Sequence, residues 1–136
     1  FWAEKGAGAY LNDRRLRVSA RGDLIDAVIA TGIPHHGRDG QKQFLSRLES
    51  VMPNVSGVRR LGSAALDLAY VAAGRYEGFW EAGLKPWDLG AGIIIVREAG
   101  GYVSDLSGGD TMLEGGGVIA ANDRLHPSIA KLVSGA

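Results

Sequence analysis

The sequence predicts an α/β protein: a mixed sheet flanked by helices and preceded by a short antiparallel hairpin. Three observations carry that reading. From Leu24 onward, segments of strand composition alternate with segments of helical periodicity. Before that point, turn-forming residues cut the chain into pieces too short for helices. The chain's 136 residues, 46% of them hydrophobic, are also enough to build one core.

In Phe1 to Ser19, Gly6-Ala7-Gly8 and Asn12-Asp13-Arg14 separate short apolar pieces, which predicts two or three antiparallel strands. Ala27 to Thr31 has the composition of a buried strand and stops at Gly32 and Pro34. Gln41 to Met52 sets Phe44, Leu45, Leu48, Val51 and Met52 on one face of a helix that Pro53-Asn54 ends. Val58 to Leu61 is a short strand. Gly62-Ser63 then opens an alanine-rich helix running to Ala73 and closed by Gly74.

Tyr76 to Glu81 is an aromatic-rich strand. Trp87 to Ala99 carries contradictory signals. Ile93-Ile94-Ile95-Val96 favours a strand, and Gly90 and Gly92 each cost a helix about 1 kcal/mol relative to alanine. The segment is nevertheless long, follows Pro86 and ends at Gly100-Gly101, so it reads as a buried helix whose glycines allow close backbone approach. Tyr102 to Ser104 and Val118 to Ala121 are strands, with Gly115-Gly116-Gly117 as a loop. Pro127 sits in the first turn of a last helix that reaches about Val133. Residues 1–22 read as the end of an antiparallel sheet region and residues 23–136 as an α/β domain.

Lysine plus arginine equals aspartate plus glutamate at 15 each. A neutral chain has no large field to hold a nucleic-acid backbone or an anionic membrane, so neither is an expected partner, although a local basic patch stays open. With no cysteine, disulfides and thiolate metal sites are excluded. The strongest apolar run, Gly92 to Val96, falls far short of the ~20 residues of a membrane helix. The expected location is the cytoplasm. The chain opens on Phe1-Trp2, already in a strand pattern, so it is expected to be a piece whose beginning has been cut off.

Asp88 begins a helix after a strand and a loop, the place where ligands of α/β folds gather. An aspartate there also caps the helix, and capping is the plainer account. Glu81 ends a strand seven positions earlier and reads equally as a solvated carboxylate. Gly62-Ser63-Ala64 opens a helix whose free amide N–H groups suit an anion or a hydroxyl, and Gly-Ser openings also serve simple capping. His35-His36 reads as a surface loop, since adjacent histidines diverge and no second ligand cluster exists. Ser63 has no triad partner, the only other histidine being His126.

Taken together, three stretches are more specific. Gly62-Ser63-Ala64-Ala65-Leu66-Asp67-Leu68-Ala69 followed by Tyr70-Val71-Ala72-Ala73-Gly74-Arg75 resembles a helix of the bacterial inositol monophosphatases. Trp80-Glu81-Ala82-Gly83-Leu84-Lys85-Pro86-Trp87-Asp88 through Arg97-Glu98-Ala99-Gly100-Gly101 resembles that family's second diagnostic motif. Lys5 to Asn12 resembles its central hairpin, so the likeness covers essentially the whole chain.

The resemblance implies the C-terminal portion of a layered sugar-phosphatase fold. It implies hydrolysis of a small phosphate monoester, foremost inositol 1-phosphate, by magnesium-activated water without a phosphoenzyme, in a homodimer. On it, Asp88 matches a Mg2+ ligand. Glu81 matches the carboxylate that receives inositol hydroxyls, and Gly62, Ser63 and Ala64 match the helix start that contacts substrate. Other sugar-phosphatase activities (fructose-bisphosphatase, histidinol-phosphatase or adenosine-bisphosphate phosphatase type) and a regulatory protein-binding role stay open.

Two departures stand out. Gly90-Ala91-Gly92 replaces the relatives' usual Ala-Ala-Gly, and the remaining metal carboxylates, including the Asp-Pro-x-Asp-Gly-Thr motif, are absent. The catalytic residues proper are therefore expected in an N-terminal half, and residues 1–136 alone are expected to be inactive.

Overall fold

A computed structural model describes residues 1–135. The chain opens with three antiparallel strands in spatial order: β1 (Trp2–Glu4), β2 (Gly8–Leu11) and β3 (Arg14–Arg15). Asn12 makes the second turn in the left-handed region at φ 52°, which asparagine tolerates better than most residues. The first turn is tied to the rest of the molecule by Glu98, whose carboxylate accepts from the N–H groups of Gly6 and Gly8 at 2.8 and 2.9 Å.

The main sheet is mixed, in the order β5-β4-β6-β8-β7. Its strands are β4 (Val28–Thr31), β5 (Gly57–Arg59), β6 (Gly78–Glu81), β7 (Tyr102–Ser104) and β8 (Val118–Ala121). β4 runs parallel to both β5 and β6, and β8 is antiparallel to β6 and β7. The helices are α1 (Gln41–Val51), α2 (Ala64–Ala72), α3 (Pro86–Glu98), α4 (Met112–Gly115) and α5 (His126–Ser134). None is long and apolar enough to cross a membrane.

From β4 the chain steps outward through α1 to β5, then back across β4 through α2 to β6. Right-handed crossovers in opposite directions must leave their helices on opposite faces. The core shows it. Ile29, Trp80, Ile119 and Ala121 pack with α1 and α5, while their strand neighbours Ala30, Phe79, Val118 and Ala120 pack with α2 and α3. This is the two-residue alternation of strands buried on both faces.

The contradictory Trp87 to Ala99 segment is helical. Gly92 lies against Leu68 of α2 with no room for a Cβ, whereas Gly90 faces open space. Helix α1 departs from the reading of its sequence, because Leu45 and Met52 are exposed while Phe44 and Val51 are buried. Leu45 lies on the flank of a narrow stripe, and Met52 falls where the helix tightens into a 3-10 turn, Met52–Asn54. Gly115 closes the short α4, so only Gly116-Gly117 bridges to β8.

Candidate active site

A cleft of about 280 Å3 opens beyond the carboxyl ends of the three parallel strands β4, β5 and β6. That is where the helices leaving adjacent strands part to opposite faces. Each strand exit supplies one wall: Gly32 and Arg38 after β4, Arg60 and Gly62-Ser63-Ala64 after β5, and Glu81 through Asp88 after β6. All five residues singled out in the sequence (Gly62, Ser63, Ala64, Glu81 and Asp88) line this one cleft, and Trp87 stands on its rim, 80% exposed.

Asp88 is the third residue of α3. Its Oδ2 accepts from the Lys85 N–H at 2.9 Å, so the capping role is real. It is half of a capping box, because a lysine side chain has no acceptor to return the bond. Oδ1 has no hydrogen bond among the described residues and stays free for a cation or a donor. Capping and ligation therefore use different oxygens of one carboxylate.

Ser63 is the N-cap of α2, its Oγ accepting from the Leu66 N–H at 3.3 Å. Gly62 precedes it at φ 87°, a turn that favours glycine. With Leu66 N–H held by the cap and Asp67 N–H bonded to the Ser63 carbonyl, the N–H groups of Ala64 and Ala65 are the first-turn donors without an intrahelical partner. Both residues line the cleft.

Glu81 ends β6 and is largely enclosed. Its carboxyl group lies where a side chain at residue 32 would otherwise be, so Gly32 is what gives it a seat. Arg38 Nη1 is 3.9 Å from Oε1. Burial, then the negative charge of Asp67 and more weakly that of Asp88, push the Glu81 carboxyl up to about 7, with Arg38 and Arg60 opposing. Near neutral pH it can thus both accept and donate, where an ordinary glutamate only accepts.

Beneath this wall lies Asp67, one turn along α2 from Ser63. It is 1% exposed, and neither carboxylate oxygen has a hydrogen-bond partner among the described residues. Burial pushes its carboxyl up to about 6, against the pull of Arg60. Sequence reasoning passed over Asp67, although it is the only charge in the run Ala64 to Ala73. It also passed over Gly32, Arg38 and Arg60, which carry no local motif.

His35 and His36 are exposed in the loop after β4, and the cleft takes in His35 at its edge. His126 is committed elsewhere, its Nε2 lying 2.9 Å from Ser104 Oγ inside the core.

The chain matches the model of the inositol monophosphatase family over residues 1–136. It is 56% identical over 133 residues to the inositol-1-monophosphatase of Mesorhizobium japonicum, covering 98% of this chain and 50% of that protein. It is 48% identical over 131 residues to the Nus factor SuhB of Pseudomonas aeruginosa, covering 95% of this chain and 48% of that protein. The crystal structure of the extragenic suppressor protein SuhB from Bartonella henselae superposes with a TM-score of 0.93 at 53% identity, covering 96% of this chain and 50% of that one. The chain thus spans about half the length of the relatives it matches.

Proposed function

Because this chain belongs to the inositol monophosphatase family, we propose that it forms one side of the active site of a magnesium-dependent phosphatase acting on polyol phosphate monoesters, foremost inositol 1-phosphate. The observation that carries this reading is the convergence of three strand exits on a single cleft that gathers Asp88, Glu81 and the first turn of α2. The proposal places the protein in the cytoplasm as a homodimer, as the family resemblance implies.

The residues fit a hard cation in part. The free Oδ1 of Asp88 is the kind of oxygen ligand magnesium prefers. Among the described residues no group of three or more histidine, cysteine or acidic side chains could hold a metal ion, so the proposal takes the further ligands from the half of the relatives' length that this chain does not span. Magnesium bound there supplies neutralisation of phosphate charge and activation of the attacking water.

The chain's own contribution is orientation. The Ala64 and Ala65 N–H groups receive phosphate or hydroxyl oxygens, and Glu81 takes the polyol hydroxyls. Lys85 N–H orients the Asp88 carboxylate by donating to its Oδ2.

The test exchanges the corresponding half of the Mesorhizobium japonicum relative for residues 1–136. The chimaera is expected to hydrolyse inositol 1-phosphate only with magnesium. Asp88→Asn in it should lower activity by more than ~100-fold, beyond the loss typical of residues outside the coordination shell, with the melting temperature little changed. Glu81→Ala should cost about 10- to 100-fold on inositol 1-phosphate, the value of a charge-assisted hydrogen bond, and far less on a simple alkyl phosphate. A chimaera that turns over equally well with Asp88→Asn sinks the metal assignment. Equal losses on both substrates sink the recognition role of Glu81.

A second reading, a regulatory protein-binding role, draws support from the relatives that bear the name Nus factor SuhB. Capture of protein partners by the chimaera with and without magnesium separates the two. Retention that ignores both magnesium and Asp88→Asn favours the regulatory role.

A further inference from the structure

A second hollow, of about 240 Å3, lies beside the candidate active site, between the loop after β4, the first turns of α1 and the end of β6. It meets the cleft at Gly32, Arg38 and Glu81, the residues that line both. Strand alternation puts it on the other side of the sheet. Trp80, on its wall, packs with α1, whereas the cleft opens at the starts of α2 and α3. Each hollow by itself falls short of the roughly 300 Å3 at which small-molecule sites begin, and the two together pass it.

Trp80 is 1% exposed, and its ring is stacked on Phe44 of α1 with centroids 6.4 Å apart and planes 19° from parallel. Its indole N–H has no hydrogen-bond partner among the described residues. Nor is that N–H sealed in, since the sealed, unpartnered side-chain atoms among those residues are the two oxygens of Asp67. What little of Trp80 stays accessible therefore includes this donor, in the hollow that the residue lines. An enclosed indole N–H ordinarily finds a partner, so this one points to a ligand that brings an acceptor.

The charges around the hollow are balanced. Arg38 and Arg47 bring two guanidiniums, Asp39 and Glu81 two carboxyl groups, and Gln43 an amide that both donates and accepts. Arg47 commits its Nε to the Val133 carbonyl at 3.3 Å. Such a lining exerts no net pull on a second phosphate, and an apolar group would leave the Trp80 N–H without a partner. A hydroxyl donates and accepts at once, so a neutral ring bearing several suits it. We propose that this hollow is a second chamber of the same site and takes a sugar ring borne by the phosphorylated polyol. The substrates then include glycosyl polyol phosphates, with the phosphate beside Asp88, the polyol at Glu81 and the sugar past Arg38. The inference rests on the phosphatase reading for its chemistry but not for its binding.

The test compares, in the chimaera described above, inositol 1-phosphate with its derivatives glucosylated at each remaining hydroxyl in turn, by kcat/KM at saturating magnesium. One regioisomer should exceed the parent about tenfold, the worth of two ordinary hydrogen bonds. Trp80→Phe, which keeps a ring and loses the N–H, should cut that ratio by about three- to fivefold, as should Gln43→Ala. Gln43→Trp, which fills the hollow, should bring the ratio back to about one. Independently of turnover, the indole N–H resonance of Trp80 in the 136-residue chain, assigned with Trp80→Phe, should shift on titration with the unphosphorylated glucosyl inositols and stay in place with inositol alone.

If no regioisomer surpasses inositol 1-phosphate, or if the ratio ignores Gln43→Trp, the inference is overturned while the phosphatase reading stands. A chimaera silent on every substrate removes the phosphatase reading, and the Trp80 resonance then decides: a shift retains the sugar chamber and an unmoved signal removes it. A larger gain from a second phosphate on the ring than from glucose would assign the hollow to an anion and overturn the sugar assignment.

Discussion

Two glycines on one turn of α3 should respond to the same substitution with opposite sign. Glycine in a helix interior costs about 1 kcal/mol relative to alanine. At Gly90 a Cβ meets nothing within 4 Å, so Gly90→Ala should recover that amount. For a chain of this size the gain raises the melting temperature by about 4 °C. At Gly92 an added Cβ would overlap Leu68, lying 2.6 Å from its Cβ and 3.0 Å from its Cγ. The Leu68 Cβ cannot swing aside as a side-chain tip could, so relief requires α2 and α3 to separate. Overpacking of this kind costs about 1–3 kcal/mol. Taking its upper half and subtracting the propensity gain leaves Gly92→Ala less stable by about 1–2 kcal/mol. Reversible urea and thermal unfolding followed by far-ultraviolet circular dichroism would measure both. If Gly92→Ala proves as stable as Gly90→Ala, the helices are not held at backbone contact and the account of this interface fails.

Other outcomes follow from the cleft. Asp67 has its carboxyl raised from 3.8 to about 6 in the folded chain. A raised acid penalises the fold above its folded pKa and ceases to do so below its unfolded one. Stability should therefore rise by up to about 3 kcal/mol as pH falls from about 7 to 4, and Asp67→Asn should abolish that rise when urea midpoints are compared at the two ends. Glu81, raised to about 7, acts with the same sign over a window beginning higher, which Glu81→Gln should remove. Gly32→Ala should cost less than Gly92→Ala, about 1 kcal/mol or under, because only the tip of the Glu81 side chain has to move aside. Glu81→Ala should restore part of that loss, and a strictly additive double mutant would refute the contact. Residues 1–136 alone should show no magnesium-dependent turnover and no magnesium-induced rise in melting temperature, which a site of real affinity would produce.

Much of the fold was legible because its signals are local. Gly6-Ala7-Gly8 and Asn12-Asp13 separate the first strands, Pro127 marks the start of α5, and the aromatic run before Glu81 marks β6. Local signals conflicted in α3, where the aliphatic run favours a strand, and tertiary packing against Leu68 accommodates Gly92 in a helix. The short α4 lay hidden in a glycine-rich stretch. In the cleft, Gly62, Ser63, Ala64, Glu81 and Asp88 each carried a local mark, a helix start or a strand end. Arg38, Arg60 and Gly32 reach the cleft only because parallel strands align their exits, which no spacing along the chain announces.

The seat that Gly32 provides for Glu81 makes these two positions a single heritable unit. A lineage that gains any side chain at 32 has to give up, shorten or redirect the glutamate at 81, and one that discards the glutamate is released from the glycine. The two codons should therefore change together as sequences diverge, with the glycine surviving only as long as the glutamate does. Chains that still keep a carboxylate in this seat could then be sorted from those that have lost it by reading one inconspicuous position in a strand-end loop, before any of them is purified.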